Sequence, residues 1–265
     1  MRLAFSTLGV PALPVDQLVR LASEHGYNGV ELRASEEGPV HTGLSAGERA
    51  AVVGQFADAG VEILAVAAYA KVAAPGDDEP VLEAISDAMT LAADLGAPFV
   101  RVFPGGGDLR PAEADLVAAR RLAAAAPIAG DLGVRVLLET HDSHPSGGDV
   151  ARVLGLVGHH SVGAIWDVMH TWLAGEQPYA TYPALAPYLG YVQVKDIASA
   201  ADTTPLPLGA GVLPLAETVE VLSRAEWDGW LCWEYEKRWY ADAAELPELL
   251  GPGRERLARL QIESA

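Results

Sequence analysis

Four short apolar runs in this chain end in residues that can handle protons or bind a cation. They are Val134–Glu139, Ala164–Asp167, Tyr191–Asp196 and Trp230–Glu234. Read as β-strands, their side chains alternate between two faces. Glu139 then shares a face with Leu137, Asp167 with Ile165, Gln193 with Lys195, and Glu234 with Cys232. If those faces converge, three carboxylates meet in one place. Like charges brought together and buried are costly unless a cation neutralises them. Hard oxygen donors suit Mg²⁺ or Mn²⁺. Taken singly, each carboxylate reads as a cap or turn residue; the joint pattern on separate runs is what points to a site.

Further candidates surround these ends. His170 follows Asp167 by three residues, and His141 follows Glu139 by two. Lys195 either contacts a substrate oxygen or pairs with Glu234 or Asp167. Arg101 and Glu31 have inward parity, and each either lines the pocket or belongs to an internal salt bridge. Trp239 or Tyr240 is expected to wall the pocket, whereas Trp230 and Trp233 are expected in the core. His159 and His160 precede a strand and fall at the opposite end. Gly105–Gly107 lacks the Lys-Ser/Thr partner of a phosphate loop, so it reads as an ordinary connection with no nucleotide site.

The elements that must hold these residues follow one rhythm. Strand candidates are 2–6, 29–33, 61–67, 99–103, 134–139, 162–167, 191–195 and 229–234. Between them lie alanine- and leucine-rich helical runs beginning near Val15, Ala46, Glu79, Pro111, Gly148, Tyr179 and Leu215, with a last helix over Leu246–Leu260. Strands alternating with helices imply a parallel sheet with right-handed crossovers. Eight such units in 265 residues predict one α/β domain, a single (β/α)₈ barrel over residues 1–265. A doubly wound open sheet is the alternative. The irregular stretches after strands (38–45, 69–78, 104–109, 141–148 and 196–212) would gather at the catalytic face. The last is either a mobile lid or a surface excursion.

A net charge of −18 repels phosphate backbones and anionic lipid, which argues against nucleic-acid and membrane partners. No run approaches roughly 18 uninterrupted apolar residues, and Met1–Val10 has no signal-peptide pattern. One cysteine, Cys232, allows no internal disulfide, so a reduced cytoplasmic setting is expected.

The runs Glu-Thr-His at 139–141, Trp-Asp-x-x-His at 166–170, Val-x-Val-Lys-Asp at 192–196 and Trp-Glu-Tyr-Glu-Lys-Arg-Trp at 233–239 resemble the xylose isomerase-like barrel superfamily. Phe-Ser-Thr-Leu-Gly at 5–9 and Gly-Tyr-Asn-Gly-Val-Glu-Leu-Arg at 26–33 resemble its first two strands. The resemblance implies a divalent metal ion, Mn²⁺ or Mg²⁺ with Zn²⁺ as an alternative, held by Glu139, Asp167, position 193 and Glu234. Gln193 stands where the epimerases of this superfamily carry a histidine, and Ala210 where many members carry an acidic residue. It further implies that His170, and similarly His141, contacts a small carbohydrate-like substrate, and family analogy leads us to expect a homo-oligomer; Lys195, Arg101 and Glu31 are candidate substrate contacts by parity. The expected activity is isomerisation or epimerisation of a small sugar, polyol or hydroxy-keto acid through an enediolate, with Glu139 and Glu234 as base and acid. An inosose-type dehydratase and a non-catalytic sugar-binding barrel are the alternatives. Phosphodiester hydrolysis on a zinc cluster is disfavoured, because few of the seven histidines fall at strand ends.

Overall fold

The computed structural model describes residues 1–264. Strands are β1 (Arg2–Ser6), β2 (Gly29–Arg33), β3 (Glu62–Lys71), β4 (Phe99–Phe103), β5 (Arg135–Glu139), β6 (Val162–Asp167), β7 (Leu189–Val194), β8 (Ile197–Ser199), β9 (Asp202–Pro205) and β10 (Trp230–Trp233). Helices are α1 (Val15–Glu24), α2 (Ala46–Ala59), α3 (Asp78–Leu95), α4 (Pro111–Asp131), α5 (Gly147–Val157), α6 (Val168–Leu173), α7 (Pro178–Leu185), α8 (Leu215–Arg224) and α9 (Leu246–Glu263). Strands β1 to β7 and β10 pair in parallel and close into a barrel, β10 returning to β1. The expected (β/α)₈ architecture is therefore the one observed. None of the described helices is long and apolar enough to cross a membrane.

Local chemistry accounts for the element boundaries. Ser45 and Ser146 each form a reciprocal capping box, with Glu48 and Asp149, at the starts of α2 and α5. The largest core layer lies between strands and helices and includes Trp166, Trp233, Phe5 and Leu257. Helix α9 reaches β10 closely only because position 253 is glycine. A Cβ there would come within 2.1 Å of the Trp233 ring. Trp233 is fully buried, and truncating such a side chain to alanine costs about 3–5 kcal/mol.

A second cluster fills the barrel interior, with Ala4, Leu137, Ile165, Tyr191, Trp230 and Cys232 among its members. Leu137, Ile165 and Cys232 are the same-face neighbours assigned by alternation to Glu139, Asp167 and Glu234. The apolar plug thus sits directly beneath the carboxylates.

Two connections depart from the expectation. The third strand does not stop at Ala67 but runs to Lys71, with a register slip against β4 that sets Lys71 beside Phe103. Tyr69 and Lys71, assigned above to a loop, are therefore carried by the sheet. The 72–77 turn that follows is pinned by fully buried Arg121. Its guanidinium donates to the Asp78 carboxylate (2.8 Å) and to the carbonyls of Val72, Ala74, Gly76 and Asp77 (2.7–3.2 Å). The stretch after β7 is neither structureless nor plain. It holds the antiparallel β8–β9 hairpin, and buried Asp196 accepts from the amides of Ile197, Gly209, Gly211 and Leu213 at 2.9–3.1 Å.

Candidate active site

Each of the four expected ligand positions is set by the end of its strand. Glu139 closes β5 and Asp167 closes β6, while Gln193 lies beside Asp167 and Cys232 in the sheet register. Glu234 follows β10 directly. All four are buried. Glu139, Asp167 and Glu234 each offer an oxygen within 4.8 Å of the others. Asp167 has two tasks. Its Oδ1 caps the short helix α6 by accepting from the amides of Met169 (2.8 Å) and His170 (3.3 Å), and its Oδ2 is left for the cluster. Thr140 locks the strand ends together, its hydroxyl accepting from the Asp167 amide and donating to the Asp167 carbonyl.

Two side-chain cations lie among these acids. Arg101 from β4 bridges Glu234 (3.0 Å) and Glu139 (3.4 Å). The Lys195 ammonium, 2% exposed, contacts Asp167 (2.7 Å), Glu236 (2.8 Å) and Glu234. Both ion pairs foreseen for Lys195 are thus present, and Glu236 adds a third. Beneath them, Glu31 accepts from the Tyr191 hydroxyl and from Gln193. Glu31 is completely buried and lies below the cleft rather than on its lining.

Burial, reinforced by Glu234 and Asp167 and opposed by Arg101, pushes Glu139 well above the usual carboxylate range. Burial also raises Glu31, against the pull of Arg101. Burial acts on Asp167 the same way, but Lys195 and then His170 outweigh it and hold the group below its ordinary value. Desolvation pushes His170 down to about 4, despite Asp167 beside it. Carboxyl groups with separated proton affinities in one pocket are the arrangement acid–base chemistry needs.

Above the cluster opens a cleft of about 280 Å³. Tyr69, Phe103 and Trp239 form apolar walls, and Lys71, Asp142 and Glu236 mark its rim. His141 packs in tilted geometry against His170, ring centroids 4.0 Å apart, and against Phe103 at 4.6 Å. Glu139, His141 and His170 form a second group that can converge on an ion. Trp239 is the wall anticipated from the sequence, whereas Tyr240 contacts Thr203 of the hairpin. Trp230 and Trp233 are core residues, as expected, and His159 precedes β6 at the far end of the barrel. A larger groove of about 640 Å³ runs beside the cleft between Gly9–Leu13 and residues 237–247, but none of the converging carboxylates lines it.

Tyr69, Lys71, Tyr191 and Glu236 escaped the sequence reading. Tyr191 shares parity with Gln193 and Lys195, and Glu236 repeats the parity of Glu234, so alternation carried both signals. Tyr69 and Lys71 were hidden by the register slip.

The donors fit a hard divalent ion. Gln193 Oε1 is a buried oxygen without a hydrogen-bond partner among the described residues, and Glu139 Oε2 and Asp167 Oδ2 are met only by the ion pairs to Arg101 and Lys195. Oxygen donors of this kind, with net negative charge, are what Mg²⁺ and Mn²⁺ select.

A family model described as xylose isomerase-like TIM barrel matches residues 19–260. A search of curated proteins by sequence gave no match. Similar solved structures include the IOLI protein with a binding zinc atom (16% identity, TM-score 0.83, covering 100% of this chain and 99% of that one). They also include D-psicose 3-epimerase from Clostridium cellulolyticum H10 (14%, 0.82, covering 98% and 99%). A third is the probable 3-DHS dehydratase AsbF from Bacillus anthracis (18%, 0.80, covering 97% and 99%).

Proposed function

Because the chain belongs to the xylose isomerase-like TIM barrel family, we propose that it is an enzyme that moves a proton at the carbon beside a carbonyl. Its substrate is a small polyhydroxy compound, and its reaction is isomerisation or epimerisation. The observation that carries this reading is the pair Glu139 and Glu234, two buried carboxyls that share one cleft and one arginine.

Glu139, Asp167, Gln193 and Glu234 would hold the ion, Mg²⁺ or Mn²⁺, with Zn²⁺ as the alternative that the zinc-bearing IOLI structure suggests. When bound, such an ion supplies positive charge that orients a carbonyl and its neighbouring hydroxyl and stabilises charge developing there. The remaining work falls to the chain's own groups. Glu139, its proton affinity raised by burial, is the carboxyl placed to exchange a proton with carbon. Glu234, on the other side of Arg101, is the partner carboxylate for the opposite transfer. Arg101 keeps the two apart and in register. Lys195 commits its three N–H donors to Asp167, Glu234 and Glu236 and so holds those carboxylates in place, while His170, neutral at physiological pH, packs behind His141 of the cleft wall. Tyr69, Phe103 and Trp239 give the reacting face apolar walls.

The same proton removal leads to dehydration where a β-hydroxyl can leave. The likeness in fold to AsbF makes that the second product to seek.

The test is exchange and product analysis in D₂O. Protein with Mn²⁺ or Mg²⁺ is incubated with ketoses, hydroxy-keto acids and inososes, and followed by NMR. Deuterium enters one carbon, giving an isomer, an epimer or an alkene, and Glu139→Gln and Glu234→Gln abolish it. Binding of a compound without exchange or product would instead establish a sugar-binding barrel.

A further inference from the structure

Glu139 belongs to two groups of donors. One is the oxygen set with Asp167 and Glu234. The other joins it to His141 and His170, each of the three offering an atom within 4.8 Å of the others. The two sets differ in chemistry. Carboxylate oxygens select hard ions. Two imidazoles and a carboxylate are the donors of open zinc sites, which keep a fourth position for water or substrate. They differ in charge balance too. Asp167 and Glu234 contact the Lys195 ammonium, and Glu234 also meets Arg101. The second set pairs with a cationic side chain, among the described residues, only where Arg101 lies 3.4 Å from Glu139.

The geometry suits an ion. Zn²⁺ sits about 2.0–2.2 Å from nitrogen and oxygen donors, so tetrahedral donors lie about 3.4 Å apart. The 4.8 Å limit therefore leaves at most about 1.4 Å to close. Each histidine is held by its own local structure. His141 starts a tight turn closed by reciprocal backbone bonds with His144 (2.8 and 3.1 Å). That turn holds Asp142 at a φ of 44°, with its Oδ1 2.9 Å from His141 Nδ1. A carboxylate beside a ring nitrogen is the usual companion of a metal-ligating imidazole. His170 lies in α6, whose start Asp167 caps, and its ring is tilted 54° to that of His141. Glu139 and His141 both line the cleft, so an ion between them is reached from it. We propose that Glu139, His141 and His170 form a second ion site, selective for Zn²⁺ or a metal of similar softness, with its open position toward the cleft. It shares Glu139 with the oxygen-donor site and does not depend on the reaction proposed above.

The test uses metal-stripped protein and Zn²⁺ itself, with affinity measured by competition against a chromogenic chelator. His141→Gln and His170→Gln should each weaken Zn²⁺ binding by about 100-fold or more, beyond the roughly 10–100-fold that loss of a merely supporting group costs. Glu234→Gln, outside the set, and His160→Gln, stacked on His159 away from it, should stay within about threefold of wild type, well inside that loss. X-ray absorption at the zinc edge should show imidazole ligation. Zn²⁺ should also protect His141 of the wild type from diethyl pyrocarbonate, which decides the matter if neither histidine variant folds. Mn²⁺ binding should fall in Glu234→Gln and persist in the histidine variants. Unchanged Zn²⁺ affinity in folded histidine variants, a zinc edge showing oxygen donors alone, or no Zn²⁺ binding by the wild type overturns the inference and leaves the oxygen-donor site to its own Mn²⁺ result. Parallel loss of both metals in all three variants of the two sets would mean one site rather than two, and overturns it as well.

Discussion

Replacing Lys195 with methionine removes one positive charge from the most acidic part of the interior while keeping the side chain's length and apolar stem. Its ammonium lies 2.7 Å from Asp167 Oδ2 and 2.8 Å from Glu236 Oε1, and is bonded to Glu234 Oε2. Glu236 is partly exposed and can turn to water; Asp167 (0% exposed) and Glu234 (3%) cannot. With the ammonium gone, one of these two carboxylates must take up a proton. Holding a carboxyl of ordinary pKa about 3.9 protonated at pH 7 costs about 1.36 kcal/mol for each of roughly three pH units, or about 4 kcal/mol. That agrees with the roughly 3–5 kcal/mol lost when one partner of a buried ion pair is removed. The same arithmetic gives about 2 kcal/mol at pH 5.5. The sign follows from linkage: a carboxyl raised in the folded state binds more protons than in the unfolded chain, so the variant regains stability as pH falls. Urea unfolding of Lys195→Met and wild type, both in EDTA and followed by tryptophan fluorescence, measures the difference. A cost below about 1 kcal/mol at pH 7, the scale of an exposed pair, would refute the reasoning. So would a cost that does not change between the two pH values.

Arg121→Met removes four hydrogen bonds to the carbonyls of the 72–77 turn and one to Asp78; we expect a loss of about 3–5 kcal/mol in urea unfolding and faster proteolysis within the turn. A loss under about 1 kcal/mol would mean that water replaces the guanidinium without penalty. His170 stays neutral in the fold down to about pH 4, whereas in the unfolded chain it protonates near 6.5. Stability associated with it is complete above pH 6.5 and is lost as pH falls toward 4, by about 3 kcal/mol in all. His170→Gln should therefore gain about 2 kcal/mol on wild type between pH 7 and pH 5 in metal-free unfolding curves, and parallel curves would contradict the assigned desolvation.

The architecture and the convergence of Glu139, Asp167, Gln193 and Glu234 were legible because period-two alternation fixes which strand residues share a face. Leu137, Ile165 and Cys232 landed in the barrel interior beneath the carboxylates to which parity had tied them. Features that depend on three-dimensional neighbours were not legible. No periodicity announces the slip at Ala67–Lys71, which moved Tyr69 and Lys71 from a loop to the cleft. Asp167 as the cap of α6 was hidden because a one-turn helix carries too little pattern to stand out. The alternatives left open for Lys195 required distances, and both ion pairs proved real at once. Glu31 had inward parity, but only the Gln193 and Tyr191 contacts set it below the cleft.

The central claim is that the carboxylates of β5, β6 and β10 form one divalent-ion site that serves the chemistry above. Equilibrium dialysis of metal-stripped protein against Mn²⁺ or Mg²⁺, followed by elemental analysis, tests it most directly, with Glu139→Gln and Glu234→Gln dialysed alongside. The account predicts one ion per chain in the wild type and none above background in either folded variant. No ion above background in the wild type, or the same stoichiometry in all three proteins, would contradict it.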